Sequence, residues 1–378
     1  MTERPTTARP DESGRVDAHT GDIAEKLARL AALARVRGLD TLVLREPATI
    51  SWLTGARSHV PQTLDTSCMD IVVEPHDGGA RLTAVTNSIE APRLRDTELV
   101  GVPLDWAVLP WWSQRTSALP VGPTVGSDRP VAGMTDVRTE IAATRRQLTP
   151  GQAQTLAGVC ADAARATTVA AGRCRPGMTE YAAAAVLAEE LLVRELDPVA
   201  LFVAADGRGD RHRHPLPTTA TMTDQVMLVC CARRDGLIAS VTRIRCFAPP
   251  DVVRRETYRR LLDVEAAFLD ATRVGARIGQ AFTAGTGGYP AHGFSPTEWH
   301  RHHQGGFSGW QPREYPAHPG ATDVIAEHSV VAWNPSGGGW KVEDTCLVVA
   351  DGPQTLVHDP EWPAVTVAGR TRPDLLIG

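Results

Sequence analysis

The sequence predicts a small α/β domain followed by a larger α+β domain. Three observations carry this. Helical and strand patterns alternate from about residue 20 to 140, as expected of one small α/β layer structure. From residue 149 the order changes to Ala-rich helices, long apolar strands around a turn, two more helices and late strands. The chain has 378 residues, enough for two or three domains and a large buried core. The expected division is a polar, disordered arm over 1–19, an N-terminal domain over 20–148 and a second domain over 149–370.

The elements follow in order. Asp22 to Gly38 has apolar residues at helical spacing, with Gly38 as the stop. "LDTLVLRE" is a short strand and "ATISWLTG" a short helix. "CMDIVVEP", "ARLTAVTNS" and "VGVPLDWAV" are strands, the last two separated by a helix in "SIEAPRLRDTE". "TEIAATRRQLTP" is expected to be a connector. Residues 149–173 and "TEYAAAAVLAEELLVREL" form two helices, the second capped by Thr179. "VALFVAAD" is a strand, and "QVMLVCCARRDGLIASVTRIRCF" is two strands around a turn near Arg234–Gly236. Helices are expected at about 251–273 and 278–288, and late strands in "SVVAWNP" and "WKVEDTCLVVA".

Composition excludes several classes. Hydrophobic residues make up 42% and charged residues 22%, as in an ordinary globular protein. The net charge is −5, and no Lys/Arg run suggests nucleic acid or a membrane surface. Arg is abundant and Lys rare. Seven cysteines without a CxxC pair read as buried small hydrophobes in a reducing compartment. No segment approaches eighteen apolar residues, so the expected location is the cytoplasm.

Candidate chemistry lies in the histidines. Seven of the twelve fall between His212 and His318, five of them in the clusters "RHRHP" and "HRHHQGG". Two clusters far apart in sequence and flanked by Gly or Pro suggest a shared cleft. A metal reading is weak: there is no HExxH spacing, and the neighbours His302 and His303 cannot both aim at one point from a strand.

"RHPLPT", "GLIASVTR", "HHQGG", "WNPS" and "KVEDT" occur in that order. In order and spacing they resemble the catalytic domain of the creatinase, prolidase, Xaa-Pro aminopeptidase and methionine aminopeptidase family, the pita-bread fold. "KLARLAALARVRGLDTLVL" followed by "SWLTG" resembles the N-terminal domain of creatinase and prolidase. The resemblance covers about residues 20 to 365. It implies five positions that in the family's metallopeptidases hold two metal ions through two Asp, one His and two Glu. Here they carry Val229, Ser240, Gly306 (or, with a one-residue shift, Phe307), Asn334 and Glu343. Only the last is a ligand, so no metal and no cofactor are expected.

Creatinase resembles the family without metal, using a histidine as proton shuttle and arginines to grip a carboxylate. The resemblance implies His212 or His214 as that shuttle, with Arg313 and Glu314 as a carboxylate-binding pair. His302, His303 and Glu343 complete the expected catalytic group, and Arg243, Trp333, Asn334 and Trp310 the substrate-binding one. The expected function is a metal-independent hydrolase or lyase acting on a C–N bond of a small carboxylate-bearing or guanidino-like substrate. The alternatives are a metal-dependent Xaa-Pro peptidase and a non-catalytic binding module. A homodimer is expected from the family and from Trp106, Trp111 and Trp112 in an aromatic-poor domain.

Overall fold

The computed structural model describes residues 12–60 and 66–378, the first ten of them as backbone only. The chain forms two compact units that part between Arg145 and Arg146. The first helix, α1, runs Glu12–Arg37 and so begins inside the stretch expected to be a disordered arm. Residues 1–11 of that stretch lie outside the described residues.

In the first unit, α1 is followed by β1 (Thr41–Leu44), α2 (Pro47–Thr54), β2 (Met69–His76), β3 (Gly79–Asn87), a short α3 (Ala91–Arg93), β4 (Asp105–Leu109), β5 (Val125–Ser127) and β6 (Thr135–Asp136). The strands make one sheet in the order β4-β3-β2-β1-β5-β6. Its centre is apolar: Leu42, Val43 and Leu44 are fully buried. The presumed connector is instead a helix, α4 (Arg138–Arg145). Its buried residues, Ile141 and Arg145, are four apart and so share one face, and the Arg145 guanidinium donates to Thr49 at 2.7 Å beside Glu46 at 3.4 Å. Charge on the outer face hid that stripe. Trp111 and Trp112 are 61% and 72% exposed, so neither is a core residue.

The second unit opens with α5 (Pro150–Arg173), started by a reciprocal Thr149–Gln152 capping box, and α6 (Glu180–Leu192), capped by Thr179. Then come β7 (Asp197–Ala205), the single turn α7 (Arg208–Arg211), β8 (Gln225–Arg234) and β9 (Leu237–Cys246). Arg234 pairs with Leu237, leaving the two-residue turn Asp235-Gly236, both at positive φ. That is the primed hairpin turn that Asp-Gly favours. Helices α8 (Val252–Ala271) and α9 (Ile278–Ala291) precede β10 (Gly305–Phe307), β11 (Tyr315–Pro316) and β12 (Val330–Trp333). The chain ends with the hairpin β13 (Ser336–Gly337) and β14 (Trp340–Lys341), then β15 (Asp344–Val349), β16 (Gly352–Thr355), the hairpin β17 (Ala364–Val367) and β18 (Arg370–Pro373), and β19 (Leu376–Ile377). The main sheet has the order β11-β10-β12-β15-β9-β8-β7.

Register fixes what each face carries. Val229 pairs with Thr242, Cys231 with Ser240 and Asp344 with Val241. With a side-chain period of two, Val229, Cys231, Ser240, Thr242 and Glu343 share one face. Arg243 and Asp344 point to the other, where Trp333 stacks on Phe268 of α8 at 4.7 Å.

Candidate functional site

Glu343 anchors the first face. It is 2% exposed, and Lys341, two residues earlier and 6% exposed, places Nζ 2.5 Å from one of its oxygens. The Arg313 guanidinium donates to the other oxygen, and also to Ser240 Oγ at 3.5 Å and to the carbonyl of Pro312. Burial works against the charged carboxylate, yet Lys341 and Arg313 outweigh it and hold Glu343 well below the usual carboxylate range. Among the ion pairs of the described residues, one carboxylate thus faces two cations, an excess of one positive charge. Asn334 lies one residue beyond the Trp333–Asp344 pair and so sits opposite Glu343. It is 2% exposed, and its Oδ1 is buried without a hydrogen-bond partner among the described residues.

Three imidazoles stand nearby. His214 follows β7 and stacks on Phe202 of that strand at 5.1 Å. Its Nε2 is 3.2 Å from Nε2 of His302, and the His302 and His303 ring centres are 4.4 Å apart. The two neighbours turn to the same side because they occupy no strand: the 3-10 turn Glu298–Arg301 precedes them and β10 begins only at Gly305. The premise that set a metal aside at the sequence level, alternation along a strand, does not hold there.

The loops carrying these rings are pinned to each other. Arg213 donates to Glu298 Oε1 at 2.6 Å, and Arg301 to the carbonyl of Asp210 at 2.8 Å. From α9, the Tyr289 hydroxyl donates to Gln304 Oε1, and Gln304 Nε2 donates to the His302 carbonyl, both at 2.6 Å. Burial and then Lys341 depress the pKa of His302 strongly, and burial and then Arg313 push that of His303 down to about 4, although His303 keeps an edge in solvent. His214 is lowered by burial and by Lys341.

The sequence-expected residues divide. His214, His302, His303, Arg313, Asn334 and Glu343 come together. His212 caps the turn α7, is exposed, and joins none of these contacts among those described. Arg243 is corrected: it is 3% exposed and bonds Asp344 at 2.7 Å on the opposite face, because it follows the site-facing Thr242 by one residue. Trp333 is corrected likewise: it is 1% exposed, and its indole donates to Thr272 in the helical layer at 3.0 Å. Trp310 is 4% exposed and follows Gly309, whose carbonyl receives Ile238 at the start of β9. Glu314 joins the sheet by donating its backbone N–H to Phe307 at 2.9 Å. Of the two alternatives for the family's histidine position, Gly306 takes the face of Asn334 and Glu343, while Phe307 takes that of Trp333. Sequence reasoning missed Lys341. A signal existed: only two lysines, Lys26 and Lys341, stand in the whole chain.

The family model of metallopeptidase family M24 matches residues 154–350, more than half of the chain. The chain belongs to the M24 family. Its fold is the pita-bread domain preceded by an α/β domain, as in the prolidase of Pyrococcus horikoshii OT3 (TM-score 0.74, 15% identity, 88% of this chain and 98% of that one). Dipeptidase PepE of Mycobacterium ulcerans is equally similar in structure (TM-score 0.74, 18% identity, 95% and 98%). The N-terminal domain of the FACT complex subunit SPT16 from chickpea also aligns (TM-score 0.66, 12% identity, 89% and 97%). In sequence, the putative dipeptidase YkvY of Bacillus subtilis (strain 168) is 24% identical over 196 residues, 50% of this chain and 53% of that protein. The match thus spans about half the length of that relative. Among the described residues no helix is long and apolar enough to cross a membrane.

Membership in M24 implies divalent ions beside Glu343. The donor set there does not fit two of them: Arg313 and Lys341 occupy both carboxylate oxygens, and Val229, Ser240, Gly306 and Asn334 add no carboxylate or imidazole. A divalent ion would have to displace two fixed cations.

Proposed function

We propose that this M24 protein hydrolyses a C–N bond in a small, carboxylate-bearing, dipeptide-like or guanidino-like substrate without the dinuclear centre of its family. The observation that carries the reading is the Arg313–Glu343–Lys341 group, two cations on one carboxylate in a largely buried setting. The uncompensated charge suits a substrate carboxylate beside Arg313 and Lys341, attracted by charge, since both terminal nitrogens of Arg313 are already engaged. The buried Asn334 Oδ1 offers an acceptor for a substrate N–H. The imidazole cluster, led by His214, takes the proton of the attacking water and returns it to the leaving nitrogen as the C–N bond breaks. His214 fills the shuttle role because His212 stands apart.

A panel of Xaa-Pro dipeptides and guanidino acids tests this. Turnover is expected for at least one class, falling roughly 100-fold in Arg313→Met, mainly in kcat/KM. Two equivalents of Mn, Zn, Co or Fe per purified chain would instead support the second reading, a metal-dependent Xaa-Pro peptidase, which the family match and the prolidase-like fold favour. The likeness to a domain named only as a complex subunit favours a third, a binding module, and saturable substrate binding without turnover would select it. The reading includes a homodimer, which light scattering checks.

A further inference from the structure

We infer that His214, His302 and His303 form a site for a single transition-metal ion of the zinc class. One ligand nitrogen from each ring lies within 4.8 Å of the other two. A tetrahedral zinc ion bound to imidazoles at about 2.0–2.1 Å sets its ligand atoms about 3.3 Å apart. The Nε2 atoms of His214 and His302, 3.2 Å apart, already stand at that spacing. The third nitrogen has to close by roughly 1.5 Å at most, a change that side-chain rotation can supply.

An independent observation points to a ligand. His302 is 8% exposed, and its Nδ1 is buried with no hydrogen-bond partner among the described residues. Its other nitrogen meets only another imidazole. An ion on Nε2 would leave Nδ1 as an unpaired N–H, so Nδ1 does not itself call for a metal. What points to a ligand is the half-enclosed Nε2, which faces another imidazole nitrogen at ligand spacing and no carboxylate or carbonyl. The backbone around the cluster is held in advance by the Arg213–Glu298 pair, the Arg301–Asp210 contact and the Tyr289–Gln304–His302 chain, so little ordering remains for an ion to impose.

Three imidazoles with an open fourth position are the donor set of a catalytic zinc site, and imidazole also suits copper, iron and nickel. The site is separate from the family's metal positions, none of which is a histidine here. The excess positive charge of Arg313 and Lys341 beside Glu343 favours an anion as fourth ligand, hydroxide or a substrate carboxylate. A ring nitrogen that binds the ion cannot also take up a proton, so the metal-loaded cluster is a different state from the metal-free one of the proposed proton shuttle. Binding is therefore read without substrate, and its failure is distinguishable from a failure of the proposed activity.

The test uses the full chain, stripped with chelator and without substrate. Zn²⁺ is titrated by calorimetry and Co²⁺ by visible absorption, which reports tetrahedral coordination. One equivalent per chain with sub-micromolar affinity and an intense cobalt spectrum is expected. Loss of one ligand in His303→Ala or His214→Ala, each checked for folding by circular dichroism, weakens binding by more than about 100-fold, while Glu343→Gln changes it by less than about tenfold. No saturable binding, two equivalents, unchanged affinity in both histidine variants, or loss with Glu343→Gln overturns the assignment.

Discussion

Two ionic groups sit back to back on the same strands and differ in one respect. On the helical side, Arg372 bonds Glu265 through two nitrogens at 2.5 and 2.7 Å and stands 3.0 Å from Asp344, which pairs with Arg243 at 2.7 Å. Two cations meet two carboxylates, all at most 3% exposed. On the other side, Glu343, the residue before Asp344, is the one carboxylate that meets Arg313 and Lys341 in the ion pairs of the described residues. The balanced group is closed to any further ion and reads as structural. The unbalanced group lacks one negative charge, and that deficit is what a substrate anion can fill.

The sharpest way to break the comparison is to open the balanced group. Arg372→Met leaves Glu265 without a partner and is expected to destabilise the chain by about 3–5 kcal/mol in urea unfolding. If the cost is below about 1 kcal/mol, the group is not the closed unit described. Next comes an asymmetry within the site. Glu343→Gln leaves Arg313 facing Lys341 and costs about 2–3 kcal/mol, whereas Arg313→Met leaves the neutral Lys341–Glu343 pair and costs less than about 1 kcal/mol. Equal costs would mean that the excess charge is not felt.

A smaller effect follows pH. His302 and His303 have folded pKa values below the ordinary 6.5. Below that value the unfolded chain takes up protons that the folded chain does not. Stability is therefore full above about pH 6.5 and declines as pH falls toward the folded value of about 4 for His303. Thermal unfolding in chelator should show this decline, and His303→Gln should flatten it; an unchanged slope would remove His303 from the account. Smallest of all, Trp111→Ala with Trp112→Ala should alter monomer stability by no more than about 0.5 kcal/mol, since both rings are exposed. A mass halved by that change in light scattering would place the pair in a dimer contact instead.

Much of the fold was legible, because it rests on local signals: helical spacing before Gly38, the Thr179 cap and the Asp-Gly turn between β8 and β9. The site was legible only in part. The ordered segments brought His214, Arg313, Asn334 and Glu343 to one place, yet Arg243 and Trp333 were assigned to it one residue out of phase. A period-two count from Glu343 separates Asp344 from it, but placing Arg243 and Trp333 needs the register between strands, which pairing sets and sequence does not display. The histidine pair was misjudged for the opposite reason, since alternation was assumed where the chain is irregular. Lys341 went unnoticed because its role depends on a carboxylate two residues on and an arginine twenty-eight residues back.

Gly306 sets a limit on what the site can be made into. Its φ is +142°, and a Cβ there would lie 2.4 Å from the carbonyl oxygen of Tyr315 and 2.6 Å from the nitrogen of Ala317. Backbone, not a yielding side chain, fills the space. A histidine cannot be painted back onto that position while β10 and β11 keep their present approach. Even a variant carrying Val229→Asp, Ser240→Asp and Asn334→Glu would have to prise two strands apart to place a histidine there, at a cost borne before any ion is bound. The limit at this position is therefore set by main chain and holds against any side chain, whatever the neighbouring positions carry.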